Sequence, residues 1–246
     1  FLLSNLYDYD HNLHTTLQNI QSVSSDCLDA YVLALALDCQ TKVANAYAGF
    51  QFKEANRLLY EFCNDTLSSF YCSAIKDRLY CDAPDSDRRR RAQATCRVIL
   101  EILIRLLSPI LPHTCDEVIE ALGESATVQG ESLLNITCEY DSVWDSVMAV
   151  RVDVMKALEA AKNDGLTNSL DAGVLLPNQD GFDRVLDDLP DVMMVSRVTL
   201  TNNSEISIQN LQLEPQCERS WKRDESVKER DNGMVLSDRD YDAIQR

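Results

Sequence analysis

Glycine and proline are scarce in this chain, 7 and 6 among 246 residues. With long stretches containing Leu, Ala and Val between them, so few breakers disfavour a turn-dominated chain and favour helices, above all in the first half. No apolar run approaches the roughly 18 residues of a spanning helix, and no basic segment precedes an apolar one at the amino end. The chain therefore reads as soluble and cytoplasmic, with no membrane role. The 3 histidines, His11, His14 and His113, are too few and too scattered for a metal site or a triad. GxxxxGK[ST], GxGxxG and HExxH are all missing, so the common phosphate cradles and zinc-hydrolase helices are excluded. Positive charge is short as well: 23 Lys and Arg against 40 Asp and Glu leave a net charge of -17. Residues 1–125 hold 11 basic and 17 acidic side chains and residues 126–246 hold 12 and 23, so both halves are acidic. Unspecific nucleic-acid binding is disfavoured, because neutralising phosphates needs Lys and Arg, and any RNA contact must come from local basic patches.

Nine cysteines are present, an odd number, most of them at apolar or small-residue positions of helical patterns. They read as free buried thiols, and in that compartment the Asn-x-Ser/Thr triplets at Asn64, Asn135 and Asn202 carry no chemistry. At 45% hydrophobic residues the chain can build a real core. From Ser25 to Gly49 the positions Leu28, Tyr31, Val32, Leu35, Ala36, Val43 and Tyr47 recur at helical spacing, and Gly49 is expected as a C′ glycine. A second helix is expected over 53–80, burying Leu59, Cys63, Leu67, Phe70 and Ala74, with a break at Asp82 to Asp85. Ser86 or Asp87 would cap a third, whose stripe includes Val98, Ile99, Ile102, Leu103, Leu106 and Leu107. Pro109 and Pro112 end it, and Thr114 with Glu117 has capping-box spacing for a short fourth helix. The four would run up and down. After a small, polar, acidic stretch the texture changes. A helix over 142–162 is followed by strand-like runs at 169–176, 192–200 and 205–213, with a helix over 182–189 between the first two. The expected fold is mainly α: a helical bundle over 1–125, a linker over 126–141, a small α+β domain over 142–215 and a tail over 216–246, charged and loosely ordered beyond Lys222.

Three blocks stand out in order along the bundle: LSSFYCSAIKDRLY at 67–80, RRRAQ at 89–93 and SPILPHTCDE at 108–117. Together they resemble the anticodon-binding region of isoleucyl-tRNA synthetases, class I enzymes that charge tRNA with isoleucine. RVDVMKALE at 151–159, NSLDA at 168–172 and VSRV at 195–198 are similar to the junction region that follows it. The resemblance covers about residues 1–225, the carboxyl third of such an enzyme, and residues 1–9 read as the continuation of an upstream segment. It implies a partner, the anticodon stem-loop of isoleucine tRNA, and an upstream catalytic domain using ATP and Mg. The HIGH and KMSKS signatures of that chemistry do not occur here, so no catalytic residue and no cofactor is expected in this chain itself. CERSW at 217–221 is similar to the start of the family's zinc knuckle, built from two CxxC pairs. Ser220 replaces the second cysteine and no Cys or His follows, so Cys217 is read as a lone remnant and the zinc site as lost.

Within that resemblance the RNA-binding candidates are Lys76, Arg78, Arg88, Arg89, Arg90, Arg91, Arg219, Trp221, Lys222 and Arg223. Lys76 and Arg78, two apart on a helix, cannot share a narrow face, so one is expected to reach RNA while the other pairs with Asp77 or Asp82. Arg88 to Arg91 crowd the start of a helix, where the dipole disfavours cations. They would grip phosphates, or be neutralised by Asp82, Asp85 and Asp87. Gln93 is expected to bond within the bundle, and Phe70 and Tyr71 to pack in its core. Trp221 with Arg219, Lys222 and Arg223 would stack on the anticodon loop or plug the space of the lost zinc. Asp187/Asp188 and Asp116/Glu117 read as caps or solvated faces. A monomer is expected. The alternative reading is a free-standing, non-catalytic paralogue acting as an acidic protein-interaction module.

Overall fold

A computed structural model of the chain describes residues 1–124, 132–163 and 165–245. A 3-10 turn, Leu3–Leu6, precedes α1 (Leu13–Gln21), α2 (Leu28–Ala48) and α3 (Phe52–Glu61). A π-helical stretch, Phe62–Tyr71, leads on to α4 (Cys72–Ala74) and α5 (Lys76–Cys81), followed by α6 (Asp87–Leu107), α7 (Pro112–Ala121) and α8 (Val143–Asn163). Then come β1 (Ala172–Pro177), α9 (Leu189–Met193), β2 (Arg197–Thr201), β3 (Ser207–Asn210), β4 (Lys228–Glu229), β5 (Val235–Leu236) and α10 (Asp238–Gln245). Mainly helical architecture with a small α+β part is the fold class the residue patterns imply. The chain divides into two compact units, Phe1–Cys72 with Arg90–Tyr140, and Ser73–Arg89 with Asp141–Arg246.

In the first unit α2 buries Leu28, Val32, Ala36, Cys39, Val43 and Ala46, a ladder of threes and fours that keeps one face inward. From α6, Cys96, Val98, Ile99, Ile102 and Leu106 are buried in the same unit. Phe70 and Tyr71 are core residues, as their periodicity implies, and the Tyr71 hydroxyl donates to Asp29 Oδ1 at 2.6 Å. The linker expected over 126–141 falls in part, at 126–131, outside the described residues. Residues 132–140 have neither helix nor strand and run beside α2: the Gln40 side chain donates to Leu134 O at 2.9 Å and accepts from its N at 3.2 Å. One side-chain amide thus satisfies both backbone groups of a buried residue.

Several local expectations are corrected. α1 carries no strong apolar pattern, burying only Thr16 and Ile20, and starts because Asn12 Oδ1 accepts from Thr15 N at 3.0 Å. Gly49 is not the left-handed residue after α2. It keeps φ at -87°, and Phe50 takes φ 56° while Gln51 N closes onto Ala46 O at 2.8 Å. The helix expected over 53–80 widens into the π register, where the Ser69 hydroxyl donates to the carbonyl of Asn64 five residues back. Thr114 does not cap α7: Pro112 opens that helix with no side-chain cap, its fixed φ suiting the first turn. Residues 182–188 form turns, and the helix placed there begins instead at Leu189, with Pro190 in its first turn.

In the second unit β1 is the central strand, parallel to β2 (Val174 opposite Val198) and antiparallel to β3 (Val174 opposite Ile208). Its Ala172, Val174 and Leu176 are fully buried, as is Trp144 at the start of α8. The tail is ordered, against expectation: β4 and β5 pair as a hairpin, and Cys217, Val227 and Leu236 form a small core to which Val235, Tyr241 and Ile244 add. Its many charges do not prevent folding, because Arg230 lies over the Tyr241 ring at 4.9 Å and donates to Leu236 O and Asp238.

Candidate nucleic-acid interface

The Lys76-Asp77-Arg78 stretch of α5 sends its two outer side chains in different directions, as a 200° separation on a helix requires. Arg78 is fully buried: its Nη2 donates to Asp188 Oδ1 at 2.8 Å and its Nε to Asp191 Oδ2 at 2.9 Å. Asp191, near the start of α9, also accepts from Arg88 Nη2 at 2.7 Å and Lys222 Nζ at 3.0 Å. Lys222 bridges to Asp77 at 3.0 Å, and Asp77 pairs with Arg239 of α10 as well. Burial pushes the Asp191 carboxyl up, but Lys222, Arg78 and Arg88 outweigh it and hold it below the usual carboxylate range. Asp77, against the same desolvation, is held well down by Arg239 and Lys222. Burial lowers the Lys222 ammonium less than Asp191 and Asp77 raise it. The network is a structural tie: it fastens α5, the start of α9 and the tail through Arg78 and Asp191, which have almost no solvent left, and through the less buried Lys222, Arg88 and Arg239.

Lys76 faces the other way. It is exposed and has no hydrogen-bond or ion-pair partner among the described residues. One turn on, Tyr80 shares its face of the helix and is 54% exposed. Both line a cavity of about 600 Å³ together with Asn168, Ser169, Met194, Arg219 and Trp221. Trp221 is 60% exposed and its backbone sits at φ 61°, held by its N–H on Cys217 O at 2.9 Å and by Gln216 Nε2 on its own carbonyl at 2.9 Å. Met194, also on the cavity wall, is left-handed too, at φ 56°. A bulky residue in this region costs about 1–2 kcal/mol, and such strain collects where a surface is shaped for use. Arg219 spends Nη2 on Tyr80 O at 2.9 Å. The site thus combines two exposed aromatic faces with an uncommitted ammonium and a guanidinium. Such a set can stack on unpaired bases and meet phosphate.

The other basic candidates are committed to acids or carbonyls. Arg88 reaches Asp191 and, at 3.8 Å, Asp82; Arg89 is buried and donates to Asp82 O. Arg90 donates to Asp8 O at 2.7 Å, beside Gln93, which bonds to Asn5 O and Asp8 as the in-bundle reading expects. Arg91 pairs with the fully buried Asp29 at 2.9 Å. Arg88 and Arg91 thus pair closely with the carboxylates of Asp191 and Asp29, while Arg89 and Arg90 donate to the backbone carbonyls of Asp82 and Asp8. Arg223 is held by Asp171 at 2.8 Å and Glu214 O at 2.8 Å. Arg78, wholly buried, has no surface to offer RNA. Sequence reasoning missed Tyr80, although its place four residues after Lys76 on a helix signals it, and missed Asn168 and Ser169, which only the fold brings near.

The tail holds a second constellation. Cys217 is not alone: its thiol donates to Asp240 Oδ2 at 2.8 Å, and the hydroxyls of Ser220 and Ser237 donate to the same oxygen at 2.6 and 3.1 Å. Asp240 Oδ1 accepts from Arg239 Nη2 at 2.9 Å. Among the described residues no group of three or more His, Cys, Asp or Glu side chains is placed to hold a metal ion.

Residues 10–174 match the family model described as the anticodon-binding domain of tRNA ligase. The chain belongs to this family. Its relatives include the isoleucine–tRNA ligases of Carboxydothermus hydrogenoformans, 34% identical over 90% of this chain and 26% of that protein, and of Brevibacillus brevis, 38% identical over 72% and 21%. Isoleucine–tRNA ligase 1 of Oceanobacillus iheyensis is 30% identical over 99% of this chain and 28% of its own length. The chain spans about a quarter of the length of these curated relatives. The match to the anticodon-binding family takes in residues of both compact units, from α1 into β1.

Proposed function

We propose that this chain is the tRNA-binding part of an isoleucine–tRNA ligase, and that it grips the anticodon stem-loop of isoleucine tRNA. The whole enzyme would attach isoleucine to that tRNA in the cytoplasm using ATP and Mg, with the chemistry in an upstream catalytic domain. In this reading the helical part over 1–125, the α+β junction over 142–215 and the tail over 216–246 serve recognition. The observation that carries the local assignment is the strained, exposed Trp221 beside Lys76, Tyr80 and Arg219 on one cavity. An acidic chain has few places where phosphate is welcome, and here the surrounding carboxylates Asp77 and Asp191 are already paired with cations. The aromatic rings would stack on unpaired loop bases while Lys76 and Arg219 meet the backbone.

The experiment compares binding to an isoleucine tRNA transcript and to a non-cognate tRNA at two salt concentrations, for the wild-type chain, Trp221→Ala and Lys76→Ala. Cognate preference that falls with salt and weakens in both variants is expected. Equal binding of both tRNAs, unchanged by either substitution, would remove the assignment.

A further inference from the structure

The spacing of two residues between partners occurs twice in the tail: Cys217-x-x-Ser220 and Ser237-x-x-Asp240. The two turns are tied together, Glu218 N donating to Val235 O at 3.0 Å and Val235 N to Glu218 Oε2 at 3.0 Å. All four side chains meet at one point, and that point is the Oδ2 atom of Asp240, a residue with no solvent exposure. Three donors, Cys217, Ser220 and Ser237, thus surround an oxygen that the fourth position, Asp240, itself supplies.

The residues present do not fit the zinc that the family resemblance implies. A structural zinc takes thiolate, imidazole or carboxylate ligands, and here two of the four positions are serine hydroxyls. The Cys217 sulfur is spent on a hydrogen bond to Asp240 Oδ2 at 2.8 Å, whereas zinc would need it as a thiolate ligand. Three donors already converge on Oδ2, and Arg239 holds Oδ1 from 2.9 Å, a fixed cation where a dication would have to approach. We propose that the Asp240 carboxylate replaces a metal as the hub of this knuckle, so that the tail folds on hydrogen bonds to one buried anion and takes up no zinc. The hub fixes the 217–222 turn. Resting on the RNA reading above, Asp240 is then a positioning residue that holds Trp221 at the cavity rim without a metal.

The test incubates the purified chain with zinc, dialyses it, and measures metal content and thermal unfolding with and without chelator. No retained zinc and identical melting curves are expected. Stoichiometric zinc whose removal by chelator lowers the melting temperature overturns the proposal. The variant Ser220→Cys/Ser237→Cys/Asp240→Cys should take up about one zinc per chain and become chelator-sensitive. If it folds and stays metal-free, the four positions do not share a centre and the geometry is refuted. Asp240→Asn, which keeps the shape but removes the charge, should lower the melting temperature by roughly 4–12 °C, whereas the exposed neighbour Asp242→Asn should leave it unchanged. Equal behaviour of the two also refutes the hub, and this arm stands if the triple variant does not fold. For the positioning role, Asp240→Asn should weaken tRNA binding while Asp240→Glu restores part of it. Absence of tRNA binding in the wild type would remove the RNA reading and leave the metal-free hub standing.

Discussion

Asp191→Asn is the substitution that most directly probes how the second unit is held together. Its carboxylate takes three cations within 3.0 Å, from Arg78, Arg88 and Lys222. Neutralising it leaves those charges with what remains: Asp188 for Arg78, Asp77 for Lys222, and Asp82, 3.8 Å away, for Arg88. Lys222 and Arg88 keep side-chain exposures of 16% and 31%, so water offsets part of their loss; Arg78 keeps none. Removing one partner of a buried pair costs about 3–5 kcal/mol, and the surviving partners place this case near the lower end, about 3 kcal/mol. For a chain of this size that is a melting-temperature decrease of roughly 6–12 °C. Circular dichroism during thermal and urea unfolding reads it directly. Arg78→Met should be milder, because Asp191 then retains two cations. The double variant should be less destabilised than the sum of the singles, by about 1–3 kcal/mol, because the charge left stranded by the first change is removed by the second. A melting temperature for Asp191→Asn within about 2 °C of wild type, or strict additivity in the double variant, would refute the view that this network is a tie.

Asp77 and Asp191 are held below the ordinary carboxylate range, so their contribution is present above about pH 4 and is lost as pH falls through their folded values. Asp82 is raised by burial and has the opposite sign, its protonation on acidification favouring the folded state. The melting temperature should therefore hold or rise slightly as pH falls towards about 4 and drop below it; a steady fall from neutrality would contradict this. Phe50→Gly should raise the melting temperature by about 2–4 °C, since a left-handed non-glycine costs about 1 kcal/mol. The ring it removes is 81% exposed and meets Phe52 only at its edge, 6.3 Å between centroids. A decrease would show that the ring contact is worth more than the strain. Trp221→Ala should weaken tRNA binding by about 1–3 kcal/mol, roughly 5- to 150-fold, and Lys76→Ala should reduce the salt slope by about one, both with unchanged melting.

The helices of the first unit were legible because burial on one face imposes a spacing of three and four residues, as in Leu28, Val32, Ala36 and Val43. α1 was not, since two buried residues in nine leave no period to detect. The tail was misjudged for a related reason. Its core is three side chains, Cys217, Val227 and Leu236, too far apart in sequence to form a pattern and surrounded by charges whose pairing only the fold reveals. Residue type alone names Lys76, Arg219 and Trp221, which the fold gathers on one cavity, on equal terms with Arg78 and the run Arg88 to Arg91, which the fold engages with carboxylates and carbonyls. Residue type reports that a guanidinium is present and says nothing of whether a carboxylate 100 residues away has already claimed it.

By itself the sequence determined the mainly helical class, the ordered blocks that resemble the family, and the absence of the catalytic signatures, since composition, periodicity and short-range motifs are local properties. Only the tertiary structure decided which cations are free. Ion pairs such as Arg78–Asp191 and Lys222–Asp77 join residues 113 and 145 positions apart. The same holds for the tail, where Ser237 and Asp240 complete a four-position centre with Cys217 and Ser220. Electrostatic commitment depends on distance and burial in space, and neither is written in the order of the residues.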